Sequence, residues 1–497
     1  MMNLLLDDLP ALQVMLPLLC APLCFILRIK GLPWLIAFVT SILTFAVSFM
    51  LFNQVADGDI LSYAMGGWAP PWGIEYRVDR LNSFFMLLIS GIGVVALLFA
   101  RKSVDSEIIA CKQSIFYSAF MLCLAGLLGI LITGDAFNVF VFLEISALSS
   151  YVLISFGQDR RALTATFQYL IMGTIGATMI LIGLGFMYMM TGTLNMADLA
   201  TRLPEVMNTN TIRTAFAFIV IGASIKLALF PLHIWLPNAY SYAPSVVTVF
   251  LAATSTKVAL YVLLRFVFTV FGAEFAFGEM PLQHILMFMA VLAVLTGSLC
   301  AVFQTNIKHV LAYSSIGQIG YMVIGVALLT TTGLAAGILH VFNHAIMKAC
   351  LFLAIGCVYY RHGSARIEDF KGIGKTMPWT MAAFVIGGLG LIGMPLTVGF
   401  ISKWYLVIAA MEQGAIGAVT ISIILIGSLL AVAYVWRIVE VAYFNEPTKE
   451  KAKIKEAPLA LLIPTWIMAL ATIYFGIKTD FSVIAATNAA TTLMGAK

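Results

Sequence analysis

The chain has 497 residues, of which 62% are hydrophobic and only 10% charged, with a formal net charge of +5. Soluble domains carry about 25% charged residues, so the composition excludes a soluble globular protein. The basic residues are spread over short loops, which excludes the gathered basic face of a nucleic-acid binder. The seven cysteines lie mostly in apolar runs, with no CxxC pair and no zinc or cluster spacing.

A spanning helix needs about 20 apolar residues to cross a hydrocarbon core of about 30 Å. Runs of that length recur from end to end, so the chain reads as an all-α membrane protein rather than a barrel. Asp7 and Asp8, not a basic region, precede the first run. The first segment is therefore expected to be retained as a helix and not cleaved as a signal peptide. Fourteen spans are predicted, near 11–28, 33–52, 81–100, 114–132, 136–156, 164–190, 212–230 with a broken continuation, 245–271, 282–303, 308–330, 333–360, 380–410, 416–443 and 458–477. The polar insert 53–80, with Gly66-Gly67-Trp68-Ala69-Pro70-Pro71-Trp72, reads as a short surface hairpin.

Basic residues in short loops set orientation. One set of loops holds Arg28, Lys30, Arg101, Lys102, Lys112, Arg160, Arg161, Lys308, Arg361, Arg366, Lys371, Lys375, Lys449, Lys451, Lys453 and Lys455. The other holds only Arg77, Arg80, Arg202, Arg213, Lys478 and Lys497. The first set is read as cytoplasmic, with both termini on the outer side of a bacterial inner membrane. Lys226, Lys257, Arg265, Lys348, Lys403 and Arg437 are left inside spans.

Two spans carry an internal proline, Pro231 and Pro395. Proline removes a backbone donor and breaks a helix. Breaks at corresponding positions of two halves point to inverted repeats around a midplane site. The chain accordingly divides into 1–113 (three helices with the hairpin insert), a first five-helix repeat at 114–271, a second at 281–443, and 444–497 (a cytoplasmic loop and the last helix).

Charges inside spans are costly and mark ion or proton pathways. Glu144 lies mid-span and reads as a proton-binding carboxylate whose titration is coupled to a partner lysine. Lys226, just before Pro231, is the proposed partner. Lys257 follows Thr254, Ser255 and Thr256, hydroxyls that suggest a hydrated path. His340, His344 and Lys348 are spaced by four and share one helical stripe, which suits a proton relay. Histidines four apart can also ligate zinc, but no third ligand is evident and Lys348 would repel a cation, so no metal is expected. Lys403 is the deep charge after Pro395. Arg265 reads as snorkelling to the interface, Arg437 as the ion-pair partner of Glu440, and Lys308 with His309 as an interfacial anchor. Translocon scales charge about 2.5–3.5 kcal/mol per Lys or Asp at a helix centre. Four lysines and one glutamate at mid-depth would then cost roughly 12–17 kcal/mol before pairing. Packing alone recovers none of that, so a conduction role is the economical explanation.

At Gly134-Asp135-Ala136-Phe137-Asn138, at Lys226 through Tyr240, at Asn306 through Gln318 and at His340 through Lys348, the chain resembles the antiporter-like membrane subunits shared by Mrp-type cation/proton antiporters, respiratory complex I and membrane-bound hydrogenases. The resemblance covers about spans 3 to 13 and is strongest to the D-type Mrp subunit. It implies that Glu144 and Lys226 form the input pair, that Lys257 with His340 and His344 connects the halves, and that Lys403 is the exit residue. Asn238 is a departure, standing where relatives commonly carry an acid.

The leading expectation is a proton-translocating subunit of a multisubunit sodium/proton antiporter, with other membrane subunits as partners. The alternative is a proton-pumping membrane subunit of a redox complex of the NADH:quinone oxidoreductase or hydrogenase type. No nicotinamide, flavin or cluster motif is present, so no cofactor is expected, and in that setting the chain would be a non-redox subunit. A self-sufficient solute transporter fits the broken helices but leaves the lysines unexplained.

Overall fold

The computed structural model describes residues 8–447 and 454–495. Lys449, Lys451, Lys453 and Lys497 of the loop census lie outside the described residues. In chain order the helices are α1 (Leu9–Ile26), α2 (Leu32–Gln54), α3 (Arg80–Glu107), α4 (Gln113–Ile132), α5 (Ala136–Ser155), α6 (Arg161–Thr191) and α7 (Met196–Val206). Then come α8 (Asn210–Leu227), α9 (Trp235–Tyr242), α10 (Ser245–Leu264), α11 (Leu282–Phe303), α12 (Ile307–Ala327) and α13 (Thr331–His362). The last five are α14 (Pro378–Ile392), α15 (Val398–Met411), α16 (Gly414–Phe444), α17 (Leu459–Ile477) and α18 (Asp480–Met494). Among the described residues, 13 helices are long and apolar enough to cross a membrane. The chain is a multi-pass membrane protein. The predicted span 380–410 is the helix pair α14 and α15, parted at Pro395. The seventh span is likewise α8 and α9, parted around Pro231.

Residues 53–80 do form a hairpin. Strands β1 (Leu61–Ala64) and β2 (Glu75–Val78) pair antiparallel with Leu61 opposite Val78. Buried Glu75 fastens it to the bundle, accepting from Ser62 Oγ at 2.6 Å and from Asn195 Nδ2 at 2.8 Å. Two helices were not foreseen. Amphipathic α7 follows α6, and α18 is a short, alanine-rich helix whose Phe481 meets the rings of Phe52, Phe84, Phe342 and Phe475.

One local device occurs twice. Asp135 caps α5 by accepting from Asn138 N, and its neighbours bridge to the strand-like segment after α6 (Ala136 N to Leu194 O, Met196 N to Gly134 O, both 2.8 Å). Asn306 caps α12 by accepting from Lys308 N, and its neighbours bridge in the same way to the segment after α13 (Ile307 N to Ala365 O, 2.8 Å; Ile367 N to Thr305 O, 2.9 Å). Both residues of each bridge are separated from their counterparts by the same sequence offset. Gly192 and Gly363, left-handed residues closing α6 and α13, share it. Alternation of the spans puts the two devices at opposite ends of the bundle.

Three expectations are corrected. Arg265 does not snorkel. It is buried, with Nη1 2.7 Å from Asp79 Oδ2 and Nε donating to Tyr261. Arg437 does not pair with Glu440; its Nη1 donates to the Val302 and Gln304 carbonyls, where α11 leaves acceptors unused. Lys308 is not an interfacial anchor but is buried, with Nζ donating to Ala243 O.

The innermost helices are α10, α12 and α13; the apolar core of α13 is buried along its whole length. Peripheral α2, α6, α11 and α16 leave most of theirs uncovered, as lipid-facing helices do. Lys257 and Lys348 are carried by these innermost helices, whereas Lys226 and Lys403 are buried on helices that also expose apolar residues, and Glu144 is partly exposed.

Candidate functional site

The candidate site gathers buried titratable side chains from α5, α8, α10, α13 and α15. Lys226 sits in the last turn of α8, which stops because Ala228 takes a left-handed conformation. The freed carbonyls are satisfied locally: Trp235 Nε1 donates to Ile225 O at 3.0 Å and Leu229 N to Ser224 O at 3.0 Å. Lys226 Nζ lies 3.8 Å from Glu144 Oε1 and has no hydrogen-bond partner. That separation suits a bridging water better than direct contact. Glu144 is partly exposed on the flank of α5, and the hydroxyl of Tyr151, two turns away, is also without a partner.

A cavity of about 20 Å³ touches both Lys226 and Ser255, enough for roughly one water. Beyond Ser255 lies Lys257, fully buried on α10, with Nζ donating to Ala252 O at 2.5 Å and to Thr256 Oγ1 at 3.4 Å. His344 is fully buried on α13, one turn from His340 and one turn from Lys348. Neither nitrogen of His344 has a protein partner. Buried polar nitrogens are rarely left so, and water is the natural partner there. His340 and His344 lie parallel at 6.1 Å between ring centroids. His340 Nδ1 stands 2.8 Å from Ser402 Oγ and Nε2 2.9 Å from Gln318 Oε1. Lys348 Nζ donates to Leu311 O at 2.7 Å and to Ser314 Oγ at 2.5 Å.

Lys403 lies on α15. Left-handed Gly393 ends α14, and its last carbonyls hold Lys403 Nζ: Leu391 O at 2.9 Å and Ile392 O at 3.0 Å. The negative end of a helix dipole favours a cation there. Ser428 Oγ accepts at 2.9 Å, and the Tyr321 ring lies 5.0 Å away.

Of the seven residues singled out from the sequence, Glu144 pairs with Lys226 and His340 stacks on His344, while Lys257, Lys348 and Lys403 are each buried among carbonyl and hydroxyl oxygens. The two prolines, Pro231 and Pro395, flank the two helix breaks. Of the buried lysines, Lys226 alone has a carboxylate within ion-pair distance among the described residues. The others are held by carbonyl and hydroxyl oxygens, so each can take up or release a proton without breaking an ion pair. Sequence reasoning passed over Gln318, Ser314, Ser402 and Ser428, neutral groups that hold the titratable ones, and it misplaced Lys308. Asn238 binds Gln168 Oε1 through its Nδ2 at 2.8 Å.

Residues 133–430 match the family described as NADH:quinone oxidoreductase/Mrp antiporter, transmembrane. The chain is 40% identical over 487 residues to the N-type subunit of the NADH-quinone oxidoreductase of Desulforudis audaxviator, covering 94% of this chain and 95% of that one. It is 32% identical over 438 residues to the D-type subunit of the Na(+)/H(+) antiporter of Alkalihalophilus pseudofirmus, covering 87% and 86%. Among solved structures, a chain of the Mrp complex from Dietzia sp. DQ12-45-1b matches with a TM-score of 0.89 at 26% identity, covering 99% of this chain and 98% of that one.

Proposed function

Because the chain belongs to the NADH:quinone oxidoreductase/Mrp antiporter transmembrane family, we propose that it is the proton-translocating subunit of a multisubunit sodium/proton antiporter. Glu144 and Lys226 take up the proton, Lys257, His344 and His340 pass it laterally, Lys348 tunes the stripe, and Lys403 releases it. The observation that supports this reading is the number of titratable groups buried inside the bundle: Lys226, Lys257, His340, His344, Lys348 and Lys403. The bundle is read as two inverted five-helix units, 114–271 and 281–443, supported by the capping device repeated at opposite ends. The termini face outward in a bacterial inner membrane, a reading supported by the basic loops on the other face.

Glu144 supports the need for partners. It lies mid-span with 27% of its side chain uncovered, and a carboxylate facing hydrocarbon is costly. Another membrane subunit covers it in the working complex.

The 40% identity to an oxidoreductase subunit favours a second reading, in which the same relay is driven by redox chemistry in a neighbouring subunit. Everted vesicles holding the assembled complex separate the two. Sodium-driven proton movement without a redox substrate supports the antiporter. Proton movement that needs an electron donor and acceptor overturns it in favour of the redox-driven pump.

A further inference from the structure

A cavity of about 390 Å³ opens at the loop end of the bundle where α3, α5 and α13 finish and α12 begins. At about 30 Å³ per molecule it has room for roughly ten waters. Its rim carries Glu107 and the exposed Asp159–Arg161 pair, 2.6 Å apart. Its floor is Lys308, only 4% exposed, under the Tyr359 ring. The buried Ser241 hydroxyl also lines it and has no partner in the protein.

Two short routes lead inward from Lys308. Along α12, Lys308 is followed on the same face by Leu311 and Ser314, the two acceptors of Lys348 Nζ. Six residues of helix rise by only about 9 Å. The second route runs through Ala243 O, in the kink between α9 and α10. It accepts from Lys308 Nζ at 3.1 Å and from Thr248 Oγ1 at 3.4 Å. The next turn of α10 carries Ala252 O, the acceptor of Lys257. Among the described residues no carboxylate lies within ion-pair distance of Lys308, and its side chain lines the cleft.

We propose that this cleft is a hydrated proton-intake site, with Lys308 the group that receives the proton and feeds the Lys348 and Lys257 region. A cleft water gives a proton to the Lys308 amine. The ammonium hands it inward through water and returns to the amine, and no bond between heavy atoms changes. The inference rests on the relay reading given above.

The test uses the assembled complex in sealed vesicles of both orientations. Ser241→Cys is made in a Cys111→Ser, Cys300→Ser background, because both are exposed cysteines near the helix ends at that face, and is treated with a membrane-impermeant cationic thiosulfonate. The proposal expects reaction from that one face and a fall in sodium-driven proton flux of about tenfold or more, the scale of losing a proton-transfer group. Lys308→Met should lower flux to a similar extent, with Lys308→Arg failing to restore it, since a guanidinium does not release its proton. A thiol at 241 that reacts from neither face, or full flux after complete labelling, overturns the proposal. So does full flux in Lys308→Met; if that variant does not assemble, the labelling result decides alone. Absence of flux in the unaltered complex would instead bring down the antiporter reading, while the labelling would still report whether the cleft is wet.

Discussion

Lys226 Nζ stands 3.8 Å from Glu144 Oε1, yet the lysine is buried and the carboxylate keeps about a quarter of its side chain uncovered. The pair thus joins the inside of the bundle to its flank. If the two titrate as one unit, their substitutions are not additive. Glu144→Gln and Lys226→Ala should each lower sodium-driven proton flux about tenfold or more. The double variant should be little worse than either single one, which a double-mutant cycle on flux measures.

His340 is gripped at both nitrogens, by Ser402 Oγ and Gln318 Oε1. His340→Ala should stop lateral transfer. Gln318→Leu leaves the ring in place but removes its Nε2 partner, and should reduce flux several-fold at unchanged assembly. Flux normalised to the amount of assembled complex checks both.

Gly393 has a φ of +88°, and a Cβ there would come 3.0 Å from Lys403 Cδ. Gly393→Ala should cost about 1–2 kcal/mol through the left-handed backbone and displace Lys403 from its carbonyls. A lowered melting temperature together with reduced flux is the expected pair of results.

Asp79 caps α3 and pairs with Arg265. Burial raises its carboxyl, but the Arg265 guanidinium and the hydrogen bonds from Arg265 and Asn82 more than offset this and hold it below the ordinary range. A carboxyl lowered in the folded state stabilises above its unfolded value of about 3.9. That stability is lost as pH falls through the lower, folded value. Asp79→Asn leaves Arg265 buried without its counter-ion and should cost about 3 kcal/mol. Thermal unfolding in detergent from neutral to acid pH should show the difference between variant and parent shrinking toward the acid end.

The spans and the deep charges were legible because lipid enforces them. A charge in an apolar run has no cheap structural role, so Glu144, Lys226, Lys257, Lys348 and Lys403 announce themselves. Arg265 and Lys308 were misread for one shared reason. Depth in a span cannot distinguish snorkelling from pairing when the partner, Asp79 or Ala243, lies far away in sequence. Gln318, Ser314, Ser402 and Ser428 carry no signal at all, because neutral polar residues also pack helices together. The helix α18 escaped because its alanines and threonines form no apolar run.

The central claim is that protons cross this chain through its buried lysines to Lys403. The most direct measurement is sodium-driven acidification or alkalinisation of sealed vesicles carrying the assembled complex, comparing the parent with Lys257→Met and Lys403→Met at matched assembly. The account predicts that each substitution lowers proton movement by about tenfold or more. Undiminished proton movement in both variants would contradict it.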